Sequence, residues 1–134
     1  MKRSTSRIVG WVLSGLLAAF LIVASGVPKF IEWEGKAEAM GHLGWSTDTI
    51  FVVGLVQVGI AVLLLIPRTA FIGAVLLTAY LGGATAAHVR IGEAFFFPII
   101  LGVLAWIAVG LRDRRIFALA WGSPCPNAPA SVTP

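Results

Sequence analysis

The sequence is poor in charged residues and almost devoid of cysteine. Only 12% of its 134 residues are charged, whereas 58% are hydrophobic. A soluble domain carries about 25% charged residues, so this chain lacks the polar surface that would coat a water-soluble globule, and we predict an integral membrane protein. The single cysteine, Cys125, excludes an intramolecular disulfide and a C-x-x-C redox pair. A dithiol oxidoreductase acting through its own cysteines and a cysteine-based zinc site are therefore excluded.

Familiar catalytic motifs are also missing. The sequence contains no G-x-S-x-G, P-loop, H-E-x-x-H or zinc pattern, so it predicts no catalytic residue and no metal ligands. The two histidines are His42 and His88, but His42 stands in the glycine-flanked segment MGHLGW, which disfavours a haem held between them. The net charge is +4, yet the basic residues stand at the ends of hydrophobic runs. This distribution is typical of membrane topology and argues against a nucleic-acid partner.

Four hydrophobic runs approach the length of about 20 residues that a membrane-spanning helix needs. We therefore predict an all-α fold, an integral membrane four-helix bundle, because uniformly apolar runs indicate helices and barrel strands would alternate. The runs are about Ile8–Val27, Ile50–Ile66, Thr69–Ala87 and Ala94–Leu111. Apolar residues at helical spacing within 28–49 predict a short interfacial helix between helices 1 and 2.

The ends of the chain define the predicted domain and its orientation. The membrane domain covers residues 1–117, and the Pro/Ser/Ala-rich segment 118–134 is predicted to be a disordered cytoplasmic tail. The first run also resembles a signal peptide, but it is long and no clear cleavage site follows. With the N-terminus inside, seven of the ten Lys and Arg residues fall inside and three outside. This bias predicts a multi-pass protein of the cell membrane with both termini cytoplasmic.

Small residues recur along the third run at four-residue spacing. Helices in lipid associate through close contact between small side chains, and a second small-residue string lies on another face of the same run. We therefore expect the third helix to be contacted on two sides, and we predict that its packing residues are Ala74, Thr78, Gly82, Gly83 and Ala86.

Polar groups within the spans are few and are expensive to place in lipid. The first and third runs both travel from inside to outside, so their polar ends should share one outer layer with neighbouring groups. We predict an outward-opening polar pocket formed by Ser25, Lys29, Glu32, Gln57, Tyr80, His88 and Arg90. Alternatives remain open at this point. Lys29 and Arg90 can reach the headgroups, Glu32 can pair with Lys29 or Lys36, and Gln57 can hydrogen-bond between helices.

Several segments together resemble the DoxX-like family of small four-helix membrane proteins. They are ASGVPKF, GHLGWS, LLLIPRTAFIGAVLLTAYLGGATAAHVR and WIAVGLRDRRI, and the resemblance covers about residues 8–117. It implies a four-helix membrane protein, and some relatives are linked to thiosulfate:quinone oxidoreduction or to oxidative-stress systems. Lys29, His88 and Arg90 match polar positions of the family. Gln57 departs from it, because many members are expected to carry an acid there, which puts a proton-relay role in doubt.

Two functions are consistent with these observations. The first is a non-catalytic membrane subunit or small-molecule-binding component, with the lipid bilayer and a homo-oligomer or partner membrane subunit as partners. The alternative is a redox-associated, quinone-binding component of a membrane oxidoreductase system. The sequence indicates no cofactor of its own, and a quinone is the one bound molecule that the resemblance suggests. We expect no enzymatic activity, since no catalytic motif is present.

Overall fold

The structure is a computed structural model that describes residues 2–122 of the chain, with side chains from residue 5 onward. All regular elements in this part of the chain are helical, which confirms the all-α prediction. They are α1 (Lys2–Ala19), a π-helical segment (Phe20–Gly26), α2 (Val27–Phe30), α3 (Lys36–His42), α4 (Thr47–Leu65), α5 (Ala70–Arg90), α6 (Phe96–Arg112) and α7 (Arg115–Ala120).

Three helical stretches are long and apolar enough to cross a membrane. They are Thr5–Phe30, which combines α1, the π-helical segment and α2, then α4 and α5. Helix α6 is also apolar but shorter, with 17 residues. Large apolar side chains such as Ile8, Leu16 and Val23 point outward and are more than half exposed. Because lipid can cover such surfaces and water cannot without penalty, the fold is that of a helical membrane bundle.

The helices form a four-sided bundle. Helix α1 packs against α6, α6 against α5, and α5 against α4, while the π-helical segment and α2 return to α4. The first stretch and α5 therefore occupy opposite corners, and α5 has one neighbour on each side. The core between the four corners is aliphatic and includes Leu17, Leu21, Leu64, Leu77 and Val109.

Close helix contact depends on glycines at two points. A methyl group added at Gly73 would lie 2.7 Å from the backbone nitrogen of Leu64, so α4 and α5 meet backbone to backbone just after their tight connection. A methyl group at Gly10 would lie 2.8 Å from the carbonyl oxygen of Ala108, where α1 meets α6. Such contacts provide the dispersion energy that holds helices together in lipid.

Arg112 joins three helices at the end of the bundle where α4 and α6 finish. Its guanidinium donates to the Leu64 carbonyl at 2.7 Å and to the Leu65 carbonyl at 3.3 Å, two of the acceptors that α4 leaves unpaired at its end. It also donates to the hydroxyl of the buried Ser14 at 3.1 Å and stacks 3.8 Å above the Trp11 ring. Arg112 thus fixes α1, α4 and α6 relative to one another.

The smaller helices lie outside the four-sided bundle. Helix α3 occupies the connection between the first stretch and α4, as predicted for the short helix between helices 1 and 2. Helix α7 follows α6 after a turn at Asp113 and continues to Ala120, past the predicted domain end at residue 117. Residues 123–134 lie outside the described residues, so the disordered tail stays a prediction.

Candidate functional site

A cavity of about 600 Å³ opens at the end of the bundle where the first stretch and α5 finish, between these two opposite corners. The π-helical segment and α2 form one wall, and the second half of α5 forms the opposite wall. Helix α4 and the first turns of α6 close the sides, while α3 and the loop after it cover the mouth. The apolar lining includes Phe20, Leu21, Ile50, Ala84, Phe97 and Leu101.

Four of the seven predicted pocket residues line this cavity: Ser25, Lys29, Tyr80 and His88. The first two come from the end of the first stretch and the last two from α5, so the parallel direction of these helices does bring the polar ends together. Gln57 contacts the cavity indirectly, through Tyr80. Glu32 and Arg90 do not line it.

Lys29 carries the positive charge of the cavity wall. Its ammonium donates to the carbonyl of Ser25 at 2.6 Å and to the hydroxyl of the same residue at 3.1 Å. Its stem packs on α4 at Gly54, where an added methyl group would lie 3.1 Å from the Lys29 Cβ. Among the residues that the structure describes, no carboxylate forms a salt bridge with Lys29.

The π-helical turn is the local reason for this geometry. Pro28 has no N–H group, so the turn that precedes it cannot complete the usual i→i−4 ladder. The Lys29 ammonium supplies a donor to the carbonyl of Ser25 in that turn. Single π-turns inside α-helices occur frequently at functional sites, and this one forms the cavity wall.

His88 and His42 share one carboxylate at the cavity rim. Nδ1 of His88 lies 3.1 Å from one oxygen of Glu93, and Nε2 of His42 lies 3.4 Å from the other. Gly92, with φ of 73°, reverses the chain so that the Glu93 amide donates back to the His88 carbonyl at 3.0 Å. Glu93 therefore links α3 to the end of α5. Glu93 follows His88 closely in the sequence, with Gly92 between them, and this spacing is the signal that could have predicted the contact.

A buried hydrogen-bond relay forms the floor of the cavity. Tyr80 donates its hydroxyl to the side-chain oxygen of Gln57 at 2.6 Å, and the Gln57 amide donates to the Leu21 carbonyl at 2.6 Å. Gln57 is fully buried. The relay joins α5, α4 and the π-helical segment, so Gln57 forms interhelical hydrogen bonds, one of the alternatives that the sequence left open.

Glu32 and Arg90 serve other contacts. Glu32 is 82% exposed and pairs with Lys36 at 3.1 Å. Lys36 is only 3% exposed, and its ammonium also donates to the Ile31 carbonyl at 2.9 Å and to the Lys29 carbonyl at 3.2 Å. It therefore caps the end of α2, a role that sequence reasoning missed. Arg90 donates to the Leu43 carbonyl at 2.7 Å and fixes the loop after α3 to the end of α5.

The predicted packing residues of α5 do not share one environment. Ala74 is fully buried, whereas Thr78, Gly82, Gly83 and Ala86 are exposed within the single chain. Thr78 and Gly82 line a second, apolar groove of about 440 Å³ between α5 and α6, where the Trp106 indole donates to the Thr78 hydroxyl at 2.8 Å. Gly83 lies on the wall of the main cavity instead. Whether these residues contact another chain stays a prediction.

The chemistry of the cavity is that of a binding site with apolar walls and a few polar groups. Within residues 5–122, whose side chains are described, no group of three or more His, Cys, Asp or Glu residues is arranged to hold a metal ion. The polar groups that a bound molecule would meet are the ammonium of Lys29, the imidazole of His88 and the hydroxyls of Ser25 and Tyr80.

Comparison with known proteins identifies the family but no individual relative. The family model described as the DoxX-like family matches residues 12–108. No curated protein and no solved structure matches the chain. The matched range contains the π-helical segment, α3, α4, α5 and most of α6, and with them every residue that lines the cavity. This chain therefore belongs to the DoxX-like family, and its long apolar helices make it a membrane protein of that family.

Proposed function

We propose that this protein is a non-catalytic membrane component that binds one small lipophilic molecule in the outer cavity. The observation that supports the proposal is the cavity itself. Its volume of about 600 Å³ falls within the range of about 300–1,000 Å³ that is usual for small-molecule sites. Such sites combine apolar walls with a few polar groups, and Lys29 and His88 supply those groups here.

Contacts within the protein fix the positions of the polar groups before a molecule binds. Lys29 is fixed by Ser25 and by its packing on Gly54, and Nδ1 of His88 is occupied by Glu93. The Tyr80 hydroxyl is already committed to Gln57. A bound molecule would therefore meet groups whose positions are set in advance, which lowers the entropy cost of binding.

The proposed topology is four crossings of the cell membrane with both termini in the cytoplasm. It is supported by the excess of Lys and Arg in the segments that would lie inside. Helix α6, with 17 residues, is at the short end of the spanning range of about 17–25. The single cysteine, Cys125, offers a direct test. A membrane-impermeant maleimide should label it only after the cells are permeabilised, and labelling of intact cells would contradict this orientation.

A second candidate is a quinone-binding component of a membrane redox system. The favouring observation is that the Lys29 ammonium and the His88 imidazole line the same apolar cavity and can engage the polar oxygens of a ring system. The electrons would then come from a partner. A quinone that co-purifies with the parent protein and is lost on filling the cavity would favour this candidate.

Two adjacent glycines permit a sharp test of the binding proposal. A methyl group added at Gly83 or at Gly82 meets nothing within 4 Å, so neither position resists a larger side chain. Gly83 lines the main cavity, and Gly82 lines the α5–α6 groove. Native mass spectrometry in mild detergent should find a small lipophilic molecule bound to the parent and to Gly82→Leu, and markedly less bound to Gly83→Leu. Equal occupancy in all three proteins would contradict the proposal.

We also propose that the protein associates with a second copy of itself or with a partner membrane subunit. Helix α5 keeps Thr78, Gly82, Gly83 and Ala86 exposed in the single chain, and small residues of this kind allow close contact between membrane helices. Size-exclusion chromatography with light scattering in mild detergent tests this point. A strict monomer that co-purifies with no other protein would remove it.

A further inference from the structure

We propose that the molecule bound in the outer cavity is an anionic amphiphile, whose acidic head group pairs with the Lys29 ammonium. Its hydrocarbon part would lie along Phe20, Phe97 and Leu101. This inference rests on the proposed binding function and adds the chemical class of the ligand. It starts from a charge in the cavity wall that the described part of the chain leaves without a counter-ion.

The ammonium of Lys29 has an unmet electrostatic requirement. It can donate three hydrogen bonds, and it makes two, both to oxygens of Ser25. Neither oxygen is charged. A cation on an apolar wall is costly unless an opposite charge compensates it. An acidic head group would provide both the third acceptor and the missing negative charge.

Two acidic residues close to the cavity already pair with other side chains. Glu93 is shared by His88 and His42, and Glu32 pairs with Lys36. Arg90 donates to the Leu43 carbonyl, a neutral acceptor in the loop after α3. Within the described part of the chain no acidic side chain forms a salt bridge with Lys29, so a bound anion is the proposed source of its counter-charge.

Charge separates an acid from a neutral diketone at this site. A quinone and an ionised acid both offer only acceptors, so both can accept a hydrogen bond from the Lys29 ammonium. Only the ionised acid also brings a negative charge, and hydrogen bonds between charged groups are the stronger ones.

The experiment compares two probes that share one hydrocarbon chain. The first is a fluorescent polyene fatty acid and the second is its methyl ester, each titrated into the purified protein in mild detergent at pH 8.5. We expect the acid to bind the parent about 10- to 100-fold more tightly than the ester, because hydrogen bonds to charged groups contribute more than neutral ones. Lys29→Met, which keeps the apolar stem, should reduce the affinity for the acid to that for the ester.

Two further variants serve as controls. Lys29→Arg keeps the charge and should retain most of the preference for the acid. Arg68→Gln removes one positive charge from an exposed site in the inner turn and should leave both affinities unchanged. If Lys29→Met does not fold, the affinities of the parent protein and of Lys29→Arg for the acid and the ester still test the inference.

The outcomes separate the inference from the proposed function. Equal binding of acid and ester to the parent, both weakened by Gly83→Leu, would overturn the inference and leave the binding function in place. Tighter binding of a tailed naphthoquinone than of the acid would also overturn it. Failure of all three probes to bind the parent would contradict the binding function itself. Displacement of the fluorescent acid by dodecanoate or by phosphatidylglycerol, in separate titrations, distinguishes a free acid from a lipid head group as the source of the anion.

Discussion

The hydrogen-bond relay beneath the cavity makes a quantitative prediction. Tyr80→Phe removes the hydroxyl that donates to the Gln57 side-chain oxygen, 2.6 Å away, and Gln57 is fully buried. Leaving a buried acceptor unsatisfied costs about 1–3 kcal/mol in soluble proteins. Hydrogen bonds between membrane helices average about 0.6 kcal/mol, with a maximum of about 1.7. We therefore expect Tyr80→Phe to lower the free energy of unfolding by about 1 kcal/mol.

A double-mutant cycle isolates the interaction. Gln57→Leu removes the partner, so adding Tyr80→Phe to it should cost less than Tyr80→Phe alone. The expected coupling is about 0.5–1.5 kcal/mol. The assay is reversible unfolding in mixed micelles of mild detergent and dodecyl sulfate, followed through the fluorescence of the five tryptophans. The control cycle combines Tyr80→Phe with Ser14→Ala, because Ser14 shares no hydrogen-bond partner with Tyr80.

The control pair should be additive within about 0.3–0.5 kcal/mol, the usual scatter for independent sites. If the Tyr80–Gln57 cycle is additive within the same limits, the two side chains do not interact in the folded protein. The relay would then not form the floor of the cavity, and the described arrangement of α4 against α5 at this level would be refuted.

Other predictions concern contacts away from the cavity. Gly73→Ala should lower the free energy of unfolding by about 1–3 kcal/mol, because the added methyl group would lie 2.7 Å from the Leu64 backbone nitrogen. The control is Gly59→Ala, whose added methyl group meets nothing within 4 Å. This substitution should be neutral or stabilising in the same assay. Arg112→Gln should cost about 1–3 kcal/mol, since it uncaps α4, and an unchanged unfolding midpoint would contradict this role. Glu93→Gln should speed hydrogen exchange in α3 by weakening its link to α5, and unchanged exchange would exclude that link.

Local patterns were sufficient to predict the architecture. Hydropathy identified the long helices, and helical spacing identified α3, because both signals depend only on neighbouring residues. Topology then brought Ser25 and Lys29 to the same level as Tyr80 and His88. Two helices that run in the same direction place their polar ends in one layer, so these four residues line one cavity.

Contacts that depend on tertiary geometry were harder to predict. The sequence offered Lys36 only as an ion-pair partner of Glu32, yet its long side chain also folds back to cap α2 and is buried. Two small-residue strings on α5 could not be assigned to neighbours from spacing alone. Within the chain, Gly73 makes the close contact with α4 and Ala74 is buried, whereas Gly82 and Gly83 remain exposed. A rotation of a helix by a fraction of a turn about its axis changes such assignments, and residue spacing alone does not specify that rotation.

Photo-crosslinking tests the central claim most directly, since it reports where an anionic amphiphile binds. A fatty acid with a diazirine in its chain would be irradiated with the purified protein and the labelled peptides sequenced. We predict adducts on the cavity walls, in the π-helical segment and around Phe97 and Leu101. These adducts should be lost in Gly83→Leu and retained in Gly82→Leu. Adducts confined to the α5–α6 groove, around Val103 and Ile107, would contradict it.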